Sequence, residues 1–213
     1  MRQPKIRLKS RKLVWGVGIN DVPEPTRIIE VVNGKEVYGI DPVYKHWHSM
    51  LARVYSKDAI ARRPLYGNCS VREDWHIFSN FKRWVEIQDP ADGYVLDKDI
   101  LIKGNKVYSP ESCVFVPKAL NGFLTLNNAK RNGTLLGVSW HKRDQHWRSR
   151  VMNPFTLQEE RLGSFSTELE AHLAWKRRKH EIACMWADKQ KDPRLSKALR
   201  TRFLPLNEVY IED

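Results

Sequence analysis

The run HWRSRV, residues 146 to 151, alternates strictly between two kinds of side chain. His146, Arg148 and Arg150 take one set of positions, and Trp147, Ser149 and Val151 take the other. A strand has a side-chain period of two, so this run presents one cationic face and one face that can pack. GVSW before it and ERLGSF after it complete three short strands. STELEAHLAWKRRKHEIA follows and reads as a helix. Thr167 and Glu170 have the spacing of a capping box, in which two side chains reciprocally satisfy backbone amides at a helix start. Ala171, Ala174 and Trp175 suit the side turned to the sheet. A three-stranded sheet covered by one helix leaves its other face open, and here that face is basic.

A β-ribbon fits the major groove of duplex DNA, and arginine on such a ribbon pairs with guanine. Lys142 and Arg143 lie just ahead of Arg148 and Arg150 and extend the positive charge. The whole chain of 213 residues carries a formal charge of +12. That excess favours a polyanionic partner, with nucleic acid first. An acidic membrane surface is less favoured, because no basic amphipathic helix with a broad apolar face stands out. No apolar run approaches a membrane span in length. The start, MRQPKIRLKSRKL, is basic with no apolar stretch behind it, unlike a secretory signal. Cys69, Cys113 and Cys184 are odd in number and lack paired short spacing. The expectation is no disulfide framework, no disulfide-linked partner, no four-cysteine zinc site and a cytoplasmic setting. Cys69 and Cys113 read as two small buried side chains rather than a metal pair.

Residues 1 to 13 form a basic arm with six Lys or Arg and no acid. IIEVVNGKEVYGI reads as a hairpin around Asn33-Gly34. In DPVYKHWHSMLARVY, residues Tyr44, Trp47, Met50, Leu51 and Val54 recur at helical spacing. Asp41 suits the cap of that helix and Pro42 its first turn. CSVREDWHIFSNFKRWVEI is rich in aromatics and reads as a second helix, with Trp75, Phe78, Phe81 (or Lys82) and Val85 suiting one face. The polar connector NNAKRNGT marks a boundary. The reading is a basic arm over 1–13, a domain over 14–128, a domain over 136–186 and a tail over 187–213.

The first domain ends in VLDKDILIKGNKVYSPESCVFVPKALN, residues 95 to 121. An apolar run stops at Asp97, Lys98 follows, and a helix-like segment later carries Asn121. A hairpin followed by a helix can bring one oxygen ligand from each to a single hard cation.

The module over 136–186 resembles the plant ethylene-response-factor DNA-binding domain, the APETALA type, in its GVSW, HWRSRV, LGSF and EAHLAW segments. The resemblance implies a sheet lying in the major groove, with Arg143, Arg148 and Arg150 as DNA contacts beside Lys142. It gives Trp140 and Trp147 a part-structural, part-stacking role. The order Tyr44-x-x-Trp47-x-x-Met50-x-x-Arg53, CSVREDWHIFSNFKRW, LDKDI and YSPESCVFVPKALN resembles phage and bacterial HNH-type homing endonucleases, which are His-Me finger nucleases. That resemblance implies an α+β chain: an N-terminal ββα-metal module, then a three-stranded antiparallel sheet packed on one helix. It implies a phage protein in a bacterial cytoplasm that nicks or cuts double-stranded DNA at sites chosen by the C-terminal sheet; one reading module and one cutting module suffice for a monomer that nicks.

The implied catalytic set is Asp97, Lys98 and Asn121, with Asp97 and Asn121 holding Mg²⁺ or Mn²⁺. Lys98 stands where the family has its catalytic histidine, and Ser112 where it has a bracing asparagine. An ordinary lysine titrates near 10.4 and is a poor base at neutral pH. A base role needs a depression of about 3 units; binding a phosphate does not. Asp99, His76 and His48 are other candidates for the base. The alternative is a catalytically silent, nuclease-derived DNA-binding regulator or blocking protein.

Overall fold

The computed structural model describes residues 12–24, 26–32, 35–126 and 133–209. Most of the basic arm, the Asn33-Gly34 turn, most of the NNAKRNGT connector and the last residues of the acidic end lie outside the described residues. The chain is mixed α+β and divides into two compact units. One takes the described residues of Met1–Asp92 with Asn105–Phe115; the other takes those of Gly93–Gly104 with Val116–Asp213. The divide differs from the expected boundary near residue 128.

In the first unit, Arg27–Val32 (β1) and Lys35–Ile40 (β2) pair as the expected antiparallel hairpin. Pro42–Tyr55 (α1) starts where Asp41 accepts the Tyr44 amide at 2.9 Å. It buries Trp47, Met50, Leu51 and Val54, the positions its period selects. Ser56 closes α1 and caps Lys57–Arg62 (α2). The short strand Ser70–Val71 (β3) leads into a 3-10 turn over Glu73–His76, and an extended Ile77 separates that turn from Phe78–Gln88 (α3). Trp75, Phe78, Phe81, Trp84 and Val85 are buried. Trp75 meets Phe81 edge-on at 5.1 Å, and the Trp47 indole donates to the Trp75 carbonyl at 2.6 Å. Each such side chain contributes roughly 1.5–3 kcal/mol by leaving water.

The second unit contains Tyr94–Asp97 (β4). Downstream, Val107–Tyr108 (β5) pairs parallel with β3 within the first unit. Val114–Pro117 (β6) pairs with β4, and the divide falls inside β6. Lys118–Leu124 (α4) follows and packs against β4. Val138–His141 (β7), His146–Asn153 (β8) and Gln158–Phe165 (β9) form the antiparallel sheet in the order 7-8-9. Glu168–Ala187 (α5) packs on it, and Pro193–Thr201 (α6) packs on α5. Both members of the Thr167–Glu170 capping box are in place. Gly137, at φ +74°, lets the backbone pass Trp175; a Cβ there would lie 2.0 Å from the indole.

Two lysines on the inner side of α5 are buried, Lys176 and Lys179. Lys176 donates to the Pro205 and Glu208 carbonyls and holds the tail. Lys179 donates to the Phe123 carbonyl and sits 3.5 Å from the centre of the Phe123 ring. That carbonyl lies in the last turn of α4, where helix carbonyls lack internal partners and favour a cation.

Candidate nucleic-acid interface

Strand β8 separates its side chains as alternation requires. Ser149 and Val151 are 1% and 5% exposed against α5, whereas Arg148 and Arg150 lie on the open face. Strand register then decides the neighbours, since directly opposed residues share a face. Ser139 on β7 and Ser164 on β9 oppose Arg148, and Arg161 on β9 opposes Arg150. The three arginines line a shallow depression of about 340 Å³ together with Gly163 and Ser164. Lys142 and Arg143 are exposed on the turn that joins β7 to β8. Trp140 and Trp147 are opposed across the strands, with rings 5.3 Å apart. Their register places them on the face opposite Arg148 and Arg150. The structure thus groups Arg148 with Arg150, puts Lys142 and Arg143 on the adjoining turn, and sets the tryptophans apart.

The face is ionically organised rather than bare. Arg148 Nη2 donates to Asp144 Oδ2 at 2.6 Å. Arg150 Nη1 donates to Glu159 Oε1 at 3.2 Å and its Nη2 to Ser139 Oγ at 3.3 Å. Exposed pairs of this kind contribute about 0.2–1 kcal/mol, so a competing anion can exchange for the carboxylate. On the helix side, Arg178 of α5 bonds Glu160 of β9 at 2.6 Å, and Asn153 bonds the same carboxylate. Arg178 and Asn153 together hold the Glu160 pKa down at about 2. This contact fastens sheet to helix and supports the open face from behind. Sequence alone does not single out Arg161, Asp144 or Glu159. The usable signal is the alternation of Glu159 and Arg161 in QEERLGSF, which puts both on the face of Arg150 once the register is known.

The loop around Asp97 is a separate arrangement. Asp97 closes β4, and its Oδ1 accepts the amides of Asp99 and Ile100 at 2.8 and 2.9 Å. Burial, then the neighbouring Asp99 carboxylate, pushes the Asp97 pKa up to about 6. Lys98 is buried, with Nζ 3.0 Å from Asp99 Oδ2. Asn121 is half-buried on α4, the helix that packs against β4. The oxygens of Asp97, Asp99 and Asn121 are of the kind that suits Mg²⁺ or Mn²⁺, and a cation would offset the repulsion between the two carboxylates. Among the described residues, no group of three or more His, Cys, Asp or Glu is arranged to hold a metal.

Ser112 donates to the Val107 carbonyl at 2.7 Å and so ties its own loop. His76 bonds the Tyr55 hydroxyl at 2.9 Å. His48 lies against the rings of Trp15 and Tyr44, where burial lowers its pKa. Cys69, Cys113 and Cys184 form no disulfide; Cys113 is buried as expected, whereas Cys69 is only half-buried. No described helix is long and apolar enough to cross a membrane. No family model matches the chain, and neither a curated protein nor a solved structure does.

Proposed function

We propose that the protein binds double-stranded DNA through the open face of the β7-β8-β9 sheet. One observation carries this reading: Arg148, Arg150 and Arg161 stand side by side on a sheet face whose reverse is covered by α5. Guanidinium forks match both phosphate oxygens and the O6/N7 edge of guanine. A narrow antiparallel sheet enters the major groove, so the same face reaches bases and backbone. Lys142 and Arg143 on the adjoining turn add phosphate contacts, and the charge of +12 speeds encounter. Trp140 and Trp147 act here as a structural pair on the reverse face.

A gel-shift titration tests the reading. Arg148→Ala with Arg150→Ala is expected to weaken duplex binding at least tenfold and to flatten its salt dependence. Unchanged affinity and unchanged sequence preference in that variant would remove the sheet from the DNA interface.

A second reading adds cleavage to binding. It is favoured by the placement of Asp97 at the end of β4 and Asn121 on α4, which packs against that strand. In this reading Asp97 and Asn121 would hold Mg²⁺ or Mn²⁺, and the ion would supply Lewis-acid stabilisation of the scissile phosphate. Lys98, bonded to Asp99, fixes that carboxylate beside Asp97 and adds positive charge near the phosphate. Supercoiled plasmid incubated with either cation is expected to be nicked by the wild type and not by Asp97→Ala. Wild-type protein that binds tightly and never nicks leaves the first reading standing alone.

A further inference from the structure

We infer that Asp144 and Glu159 are resident competitors for the DNA-binding arginines and set how strongly the sheet rejects non-cognate duplex. This rests on the sheet being the DNA face. The two acids bracket the arginine array. Asp144 lies in the turn between β7 and β8, and its Oδ2 holds Arg148 Nη2 at 2.6 Å. Glu159 lies on β9 toward the other end of β8, opposite Met152, and holds Arg150 Nη1 at 3.2 Å. Arg161 lies across from Arg150 and has no ion-pair partner among the described residues.

A carboxylate on a guanidinium fork occupies the place that a phosphate oxygen would take. DNA must therefore displace the acids before Arg148 Nη2 and Arg150 Nη1 can join a bidentate contact. The displaced carboxylates stay close, because Asp144 is fixed in a short turn and Glu159 in a strand. They then repel the neighbouring phosphates. A lone phosphate contact gains little from such an exchange, since one exposed ion pair replaces another. A bidentate contact to a base edge adds geometry that the carboxylate does not reproduce, and it still gains. The two acids thus penalise backbone-only binding more than base reading. Arg161, with no acid to displace, supplies the first phosphate contact on any duplex.

The test compares Asp144→Asn with Glu159→Gln, combined, against a charge-matched control. The control is Glu181→Gln with Asp188→Asn, two exposed acids at α5 paired with Arg178 and Arg200 on the covered side of the sheet. Asn and Gln preserve shape and hydrogen-bonding capacity, and circular dichroism checks that the fold is kept. Binding to a mixed-sequence duplex is measured by fluorescence anisotropy across a salt series. The Asp144/Glu159 variant is expected to bind about tenfold tighter at low salt. Its slope of log K against log salt is expected to steepen by about 1.8, or roughly 0.9 for each added phosphate contact. The control is expected to gain less and to keep the wild-type slope. Equal gains in both variants, or no change in the Asp144/Glu159 variant while the wild type binds, overturn the inference and leave the DNA face intact. Absence of binding by every form overturns the DNA-face reading and this inference with it.

Discussion

Lys179 is a buried cation without a carboxylate on it among the described residues. Its amine rests on the Phe123 carbonyl and faces the Phe123, Phe203 and Trp175 rings. Burial, with Arg202 adding repulsion, pushes its pKa down to about 7. In the unfolded chain the same amine titrates near 10.4. Between those values the unfolded state binds the extra proton, so stability rises as pH climbs from 7 toward about 10. Below 7 both states are protonated and this contribution is flat. Urea unfolding across that window is expected to show a rising midpoint in the wild type and a smaller rise in Lys179→Met. Equal slopes would mean that the amine is solvated in the folded state. The same residue joins the last turn of α4 to the inner side of α5.

At the scale of elements, α5 depends on its first turn. Thr167 Oγ1 accepts the Glu170 amide at 3.2 Å, and the Glu170 carboxylate accepts the Thr167 amide at 3.1 Å. Thr167→Ala is expected to cost about 1 kcal/mol, read as a lower denaturation midpoint with an unchanged denaturant slope. A change below a few tenths would show that sheet packing alone fixes the helix start.

This cap was legible in the sequence because it is local, and so were α1 behind Asp41-Pro42 and the two faces of β8. Other features depend on partners distant in the chain. The parallel pairing of β3 with β5 joins two-residue strands that carry no periodic signal. Helix α6 was missed although Asp192 and Pro193 mark its start, because its apolar positions are few. α5 runs on to Ala187, past the expected end near Ala183, since CMWA contains nothing that stops a helix. At the candidate interface, Arg148 and Arg150 were readable from period two. Arg161 and Glu159 needed the register of β9 on β8, which shifts between Ser149 and Arg150, and Asp144 needed the contact its turn makes with Arg148.

At the scale of the molecule, a charge of +12 gives general attraction to any nucleic acid, and attraction alone would not single out one surface. If the sheet is the DNA face, a few arginines on it carry most of the binding, and equal charge elsewhere does not. The basis is positional. Arg148, Arg150 and Arg161 are adjacent on a sheet backed by α5 and fastened by the Arg178–Glu160 pair. Lys57, Arg62 and Arg63 are exposed on and just after α2 and carry the same summed charge without a sheet behind them.

The decisive measurement is therefore the dissociation constant for a duplex that the wild type selects from a random-sequence pool, at one fixed salt concentration, in two triple variants. Arg148→Ala/Arg150→Ala/Arg161→Ala is expected to bind at least about thirtyfold more weakly than the wild type. Lys57→Ala/Arg62→Ala/Arg63→Ala is expected to lose only a few-fold, the share owed to net charge. Equal losses in the two triples would contradict the account, because the sheet would then contribute charge and nothing more.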